Sequence, residues 1–405
     1  EFKRSKLKKG KKHLTVILLL LASSFGFAQN TNMSREAVIA KALENNKGIK
    51  AAALQVNKMQ ENIKSSFTFE KTNVYYSYDQ NNLALNNLPL KVFGVQQRFL
   101  FPTVYGVQKK ANTSEFEKEK ADYELQKNKL SLQVAKTYEQ IVYWQHQERL
   151  YSYLDSLYQN FSKASDRRFE LGETNYLEKI TAQSKYRQIK TKLTQINFEK
   201  KAQYESLQAL VQSDEKISIL EKELVPIPTL DTTSNKAIHT AYLESISKMY
   251  KSQISLQKQH WLPDLNLEYF QGRNNGLSQS LYGFQVGIAV PILFSGNVSK
   301  TKVAQLESQS WEEQKQNQEQ KMTQFIRQQQ NEIAKYQESI NYYNATGKKL
   351  SEEIIKVANS SYKNGEIDFF QYIQSLENAV AIKIEYVEAV LQFNSNQLEL
   401  HYLNF

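Results

Sequence analysis

The sequence predicts a mainly α chain of two tandem repeats, with a small transmembrane β part whose four strands belong to a barrel shared between copies. Three observations carry this prediction. The chain repeats itself at a spacing of about 190 residues. Each repeat holds two strands that alternate large apolar and small or polar residues. Each repeat then continues into very long helices with a heptad seam.

The repeat is read from matching punctuation. In the first copy a strand ends at Phe101-Pro102 and runs through Gly106 into a charged helix, as Val290-Pro291 and Gly296 do in the second. The first copy then turns at Phe169-Glu170-Leu171-Gly172-Glu173, and the second at Tyr362-Lys363-Asn364-Gly365-Glu366. Pro102 and Pro291 lie 189 residues apart, and Gly172 and Gly365 lie 193 apart. From Pro102 to Gly172 is 70 residues, which as one helix would reach ~105 Å. Few breakers interrupt such helices: the chain has 13 Gly and 6 Pro in 405 residues. The spacing places the first repeat at 29–225, a linker at 226–235 around Pro226 and Pro228, and the second repeat at 236–405.

Residues 1–28 read as a secretory signal peptide. Seven Lys/Arg between Lys3 and Lys12 precede an apolar run from Leu14 to Ala22, and Gly26-Phe27-Ala28 places cleavage before Gln29. Removing this segment lowers the net charge from +10 to about +4, which takes away the main support for nucleic-acid binding. The chain has no Cys. These residues are therefore expected to form no disulfide and no thiolate metal site, and they hold no lipobox Cys for acylation.

Within the first repeat, residues 33–64 read as a helix capped by Ser34, with Glu36 in its first turn. Residues 73–79 switch to a period of two, with Val74, Tyr76 and Tyr78 opposite Tyr75, Ser77 and Asp79. A polar loop is predicted over Asn81–Asn87. The next strand, 92–101, sets Phe93, Val95, Phe99 and Phe101 against Gly94, Gln96 and Arg98. In the second repeat Leu265, Leu267 and Tyr269 alternate with Asn266 and Glu268. After a loop at Gly272–Gly276, Tyr282, Phe284, Val286, Ile288, Val290 and Ile292 alternate with Gly283, Gln285, Gly287 and Ala289. Four strands have no other elements to cover so long an apolar face, so that face is expected to meet lipid and the small or polar face a lumen. Tyr75, Tyr76, Tyr78, Tyr269 and Tyr282 are candidates for interfacial girdles. Four strands cannot close a barrel, since about eight are needed. Two copies or three would satisfy that count.

The heptads run through Leu150, Leu154, Leu157, Phe161 and Ala164, and through Ile333, Tyr336, Ile340, Tyr343, Gly347, Leu350, Ile354 and Val357. After the turns, Leu177 and Ile180 in one copy and Phe370, Ile373 and Leu376 in the other continue as seam residues. The Gln-rich stretch Gln305–Gln330 fits either a solvated helix face or a neutral lumen wall.

Little in the chain suggests catalysis. The five His residues stand apart from one another, no Gly-rich phosphate loop or Gly-x-Ser-x-Gly occurs, and acidic residues alternate with Lys as on solvated helix faces. The chain reads as a non-enzyme with no cofactor and no metal. Gly172 and Gly365 are expected as ordinary helix C-caps, and also as the tips of hairpins where an aperture and a docking surface would lie.

Taken together, the tandem halves, the strand-end Pro followed by Gly, the tips Leu171-Gly172-Glu173…Tyr176-Leu177 and Asn364-Gly365-Glu366…Phe370, and the Ala-rich segment Glu36–Leu43 resemble the TolC-type outer-membrane factor family. The likeness covers essentially the whole chain after the signal segment. Phe101-Pro102-Thr103-Val104-Tyr105 resembles the heavy-metal efflux branch. The resemblance implies a homotrimer with a 12-stranded barrel in outer-membrane lipid, joined to a periplasmic tunnel of twelve long helices.

The activity so implied is passive conduction, from an inner-membrane pump such as an RND transporter and a periplasmic adaptor (membrane fusion protein) to the outside. Type I protein secretion, or a periplasmic coiled-coil adaptor or scaffold, is the alternative. The resemblance further implies that Arg168, Leu171, Gly172, Glu173, Asn364, Gly365 and Glu366 form adaptor-docking tips. It places Asp368, Gln371 and Gln374 at the pore aperture. Family members carry acidic residues six and nine positions after the second-tip Gly, where this chain has Gln371 and Gln374. Asp368, Glu366 and Glu178 are the acidic residues near enough to replace them.

Overall fold

The architecture follows from where the sequence allows a helix to run unbroken and where it forces a stop. The structure is a computed structural model, and it describes residues 32–403 apart from 84–86, 232, 274–275, 277 and 293. The predicted signal segment, 1–28, lies outside the described residues.

In chain order the elements are β1 (Asn32–Met33), α1 (Arg35–Asn45), α2 (Lys47–Lys64), β2 (Asn73–Leu83), β3 (Pro89–Phe99), α3 (Pro102–Glu170), α4 (Tyr176–Val211), β4 (Ser218–Ile219), α5 (Thr233–Gln259), β5 (Asp264–Arg273), β6 (Leu281–Ala289), α6 (Ser295–Tyr342), α7 (Lys348–Lys363) and α8 (Phe369–Tyr402). The order of helix, strand pair, long helix, turn and helix thus runs twice. Contacts divide the chain into two units, each drawing on both repeats. One comprises residues up to Asn45, Gln133–Val225 and Tyr343–Leu391; the other comprises Asn46–Leu132, Pro226–Tyr342 and Gln392–Phe405.

Element boundaries depart from the sequence reading in places with identifiable causes. The helix expected over 33–64 begins under a Ser34 cap, whose hydroxyl accepts from the Ala37 amide at 3.3 Å. It breaks at Asn46, whose side chain accepts from the amides of Gly48 (2.9 Å) and Ile49 (3.2 Å) and so starts a second helix. β2 continues to Leu83, into the stretch expected as a loop. Phe101 lies outside β3, because the Leu100 amide is taken by the Tyr105 hydroxyl at 3.1 Å instead of by a strand partner. β6 ends at Ala289, two residues before Pro291 removes a donor, so Val290 and Ile292 lie beyond it. Pro102 occupies the first helical position of α3, where its missing N–H costs nothing.

In the unit containing the sheet, β2-β3-β5-β6 form an antiparallel meander with β2 and β6 as its outer strands. Register aligns Val74, Val95, Tyr269 and Phe284 in one row, and Tyr76, Phe93, Gln271 and Tyr282 in the next. The predicted apolar face is therefore one continuous surface, with Tyr282 77% and Phe284 80% exposed. On the opposite face Tyr75 lies over Gly94 and Phe270 over Gly283, where an added Cβ would stand 2.3 Å and 2.5 Å from the ring. The Tyr75 hydroxyl reaches across the sheet to the Glu268 carboxylate. Beneath the sheet α5 packs along α6, with Trp311 Nε1 donating to the Ser247 hydroxyl at 3.1 Å. Asn235 joins this unit's segments: it accepts from Asn128 at 2.7 Å and donates to the His401 carbonyl at 2.8 Å.

In the other unit, a fully buried Tyr138 pins the ends of the first repeat. Its hydroxyl donates to the Met33 carbonyl (2.8 Å) and accepts from the Leu220 amide (3.2 Å), beside the two-residue parallel pairing of β1 with β4. The helical core joins Leu154, Tyr158, Ala182, Ala358, Phe369, Tyr372, Ile373, Leu376 and Val380.

The heptad seams are only partly those expected. Leu154 is buried, but Ala164 is exposed and Tyr158 takes a core place instead. In the second seam a π-helical turn at Tyr343–Gly347 inserts one residue between α6 and α7. Beyond it the buried stripe moves one position, to Ser351 and Ala358, leaving Leu350 41% and Val357 54% exposed. Leu177, Ile180 and Phe370 are also exposed, and Phe369 takes the buried position expected for Phe370. Gln305–Gln330 lies within α6 and is largely exposed or half-buried, with Gln329 buried.

Two histidines on helices are disfavoured as cations. Burial, reinforced by Arg149, pushes His146 below the ordinary imidazole value of 6.5. Burial does the same to His239 against bonds to the backbone of Tyr402 and Leu403. The unfolded chain therefore takes up protons first as pH falls. Stability is fully present above about 6.5 and declines toward each lowered folded-state value. Thermal melting followed by circular dichroism should show the midpoint falling between neutrality and about pH 5, and His146→Gln should make that fall shallower.

Candidate functional site

The two tips that the sequence singled out are built alike, from residues of one unit. At the end of α3 the Gly172 amide donates to the Phe169 carbonyl (3.0 Å) and the Glu173 amide to the Arg168 carbonyl (2.8 Å). At the end of α7 the Gly365 amide donates to Tyr362 (3.2 Å) and the Glu366 amide to Ser361 (2.8 Å). This paired pattern is the Schellman closure, and it needs a left-handed residue. Gly172 and Gly365 supply it at φ 73° and 74°.

The next helix of each hairpin starts on a side-chain cap. Asn175 accepts from the Glu178 amide at 2.9 Å. Asp368 accepts from the Gln371 amide at 2.8 Å, and Gln371 Oε1 accepts in return from the Asp368 amide at 3.3 Å. Asp368 and Gln371, both expected at an aperture, thus form a reciprocal capping box. Gln374 is exposed one turn further along α8.

An arginine links the hairpins. Arg168 Nη1 donates to Glu178 Oε1 (3.1 Å) on its own hairpin and to the Tyr362 hydroxyl (3.1 Å) on the other. Thr174 donates to the second Glu178 oxygen at 2.5 Å. Glu178 is thereby committed within the chain and mostly buried, which weakens it as a replacement for an acidic ring. Burial raises the Tyr362 phenol above its ordinary value, with Glu178 adding to this and Arg168 opposing it. Burial also pushes the Tyr372 phenol up to about 12. Both therefore remain neutral hydrogen-bonding groups. Tyr372 donates to Asn359 at 2.5 Å, and its ring lies 4.8 Å from those of Phe161 and Tyr362.

Outside this lock, Leu171, Glu173, Asn364 and Glu366 are exposed, as are Tyr176, Leu177 and Phe370. Leu171 alone is 64% exposed. The tips therefore present apolar side chains among acidic and amide groups. Among the described residues no group of three or more His, Asp or Glu could hold a metal ion, and no helix is long and apolar enough to cross a membrane. Sequence reasoning named Arg168 but missed Tyr362 as its partner. The signal was available: Tyr362 and Phe169 each stand three residues before the tip glycine.

No protein-family model and no curated protein matches this chain. Solved structures do. A membrane protein from Pseudomonas aeruginosa is similar at a TM-score of 0.77 and 13% identity, over 91% of each chain. CusC is similar at 0.76 and 14%, over 92% of each. The Campylobacter jejuni CmeC outer membrane channel is similar at 0.75 and 15%, over 92% of this chain and 85% of that one. At these identities the likeness is one of fold, and this chain has the α-helical, tandem-repeat TolC-like fold.

The tip geometry sets an expectation. Gly172→Ala and Gly365→Ala place a Cβ on a left-handed residue and should each cost about 1 kcal/mol. Gly106→Ala and Gly296→Ala, in helical turns with open space around them, should be neutral or stabilising. Chemical denaturation of the four variants side by side checks this.

Proposed function

We propose that this chain is the outer-membrane exit duct of a tripartite efflux system, conducting solutes passively and catalysing nothing. The observation that carries the reading is the continuous apolar face of a four-stranded sheet whose outer strands, β2 and β6, have no further partner among the described residues. In hydrocarbon an open edge leaves amides and carbonyls unsatisfied at several kcal/mol each, so only closure with other copies suits it. Three copies give twelve strands and a homotrimer. The small and polar face, with Gly94, Gly283, Gln96, Glu268 and Gln285 in register, would then line the lumen. Fold likeness to an outer membrane channel supports the same location.

On this reading the tip residues Arg168, Leu171, Gly172, Glu173, Asn364, Gly365 and Glu366 dock a periplasmic adaptor, which brings an inner-membrane pump of the RND kind. Asp368, Gln371 and Gln374 line the entrance. The cargo class we favour is heavy-metal cations, on the strength of the Phe101–Tyr105 motif. With amides at 371 and 374, entry would rest on access more than on an acidic ring. A coiled-coil scaffold in water would leave the sheet's apolar face unexplained.

Native mass spectrometry in detergent should return three copies, and a stable monomer or dimer would overturn the barrel count. Cysteines at Asp368 and Gln374 should crosslink between protomers and reduce conductance, and failure of both would remove these residues from the aperture. Arg168→Ala and Tyr362→Phe should each raise single-channel conductance in planar bilayers, because each cuts the link between the two hairpins. Unchanged conductance in both would show that the link does not hold the entrance.

A further inference from the structure

The surface between the C-terminal end of α5 and the first turns of α6 is unlike the rest of that helix pair. A groove of about 530 Å³ is lined by Lys258, Trp261, Val298, Thr301, Lys302 and Gln305. The turn that ends α5, in which the Trp261 amide donates to the Lys258 carbonyl at 3.3 Å, puts these two on one wall, and helical spacing puts Val298, Thr301, Lys302 and Gln305 on the other. Trp261 Nε1 donates to the Thr301 hydroxyl at 3.3 Å, which itself donates to the Asn297 carbonyl at 2.9 Å. The indole is therefore oriented by α6, with part of its surface open. The lining holds two cations and no carboxylate, and neither lysine has an ion-pair partner among the described residues. A second groove beside the same two helices, lined by His260, Asn297, Lys300 and Glu307 among others, has a carboxylate and no Trp, Tyr or Phe.

The groove also continues the apolar sheet face. Ile288, Val290, Ile292 and Phe294 are all exposed at alternate positions leading out of β6, and the Phe294 ring stands 6.5 Å from that of Trp261. An occupant must therefore be apolar where it meets the sheet side and anionic where it meets Lys258 and Lys302. A phospholipid with an anionic headgroup has that order of groups, and a tryptophan with lysines beside it is suited to the level where headgroup meets acyl chain.

We propose that this groove binds one anionic phospholipid, its phosphate between Lys258 and Lys302 and the start of an acyl chain against Trp261 and Val298. The proposal rests on the barrel reading, which sets the apolar face in a bilayer.

The test uses the full chain reconstituted in phosphatidylcholine vesicles. Two tryptophan reporters are compared: Trp261 alone, with Trp144→Phe and Trp311→Phe, and Phe284→Trp in a background lacking the native tryptophans. Each is quenched by phosphatidylglycerol or phosphatidylcholine brominated near the carboxyl end of the acyl chains, at equal mole fraction. The expected result is stronger quenching of Trp261 by the phosphatidylglycerol, reflecting local enrichment on the order of tenfold. The preference should be lost in Lys258→Gln/Lys302→Gln and kept in Lys258→Arg/Lys302→Arg. The Phe284→Trp reporter should show no preference, and its quenching in the lysine variants confirms that they insert.

Equal quenching of Trp261 by both lipids, with Phe284→Trp also quenched, overturns the headgroup site and leaves the barrel standing. A Trp261 that neither lipid reaches, with Phe284→Trp quenched, means another protomer covers the groove and likewise overturns it. If neither reporter is quenched, the barrel reading falls and the site falls with it.

Discussion

Backbone hydrogen bonding at the edges of the sheet is the constraint on which the rest of the molecule depends. β2 and β6 are outer strands, and the side chains they and their neighbours display suit hydrocarbon and not water. In water an open edge is tolerated because solvent satisfies it. In lipid no solvent is available, and the donors and acceptors must be met by another chain. The repeat fits this limitation. Each half contributes one hairpin, too few strands for any closed form, and on the proposed reading the missing strands come from other copies.

The most legible parts of the sequence were those where a single rule decides the outcome. Alternation fixes the face of strand residues such as Val74, Val95, Tyr269 and Phe284, since slipping by one residue inverts the whole pattern. A glycine that must adopt positive φ is equally readable, and Gly172 and Gly365 do so with nearly equal angles. Less legible was anything decided by competition between local partners. Asn46 splits a helix whose apolar pattern runs straight through it. Tyr105 withdraws the Leu100 amide from a strand that composition would extend. The Arg168–Tyr362 contact joins residues 194 apart, and only alignment of the two halves hints at it.

Charge at the tips shows how local structure consumes groups that a positional argument assigns elsewhere. Glu178 is held by Arg168 and Thr174, and Asp368 and Gln371 together cap the start of α8. Capping fixes the backbone of α8 at the tip and leaves the outer surfaces of those side chains exposed. Residues proposed for an entrance are therefore structural as well. Substitutions there need to preserve the cap if the two roles are to be separated.

The π-helical turn at Tyr343–Gly347 has a geometric consequence. A turn with one extra residue has wider hydrogen-bonded rings than its neighbours, and it lets a helix rotate its contact face without breaking. Here the Tyr343 ring stacks on Tyr386 at 3.9 Å, holding the widened turn against α8. The first repeat has no counterpart, since α3 runs 69 residues without interruption. Two halves alike in element order therefore differ in how the face of the long helix is set: one keeps a single helical phase, and the other resets it by one residue before its tip.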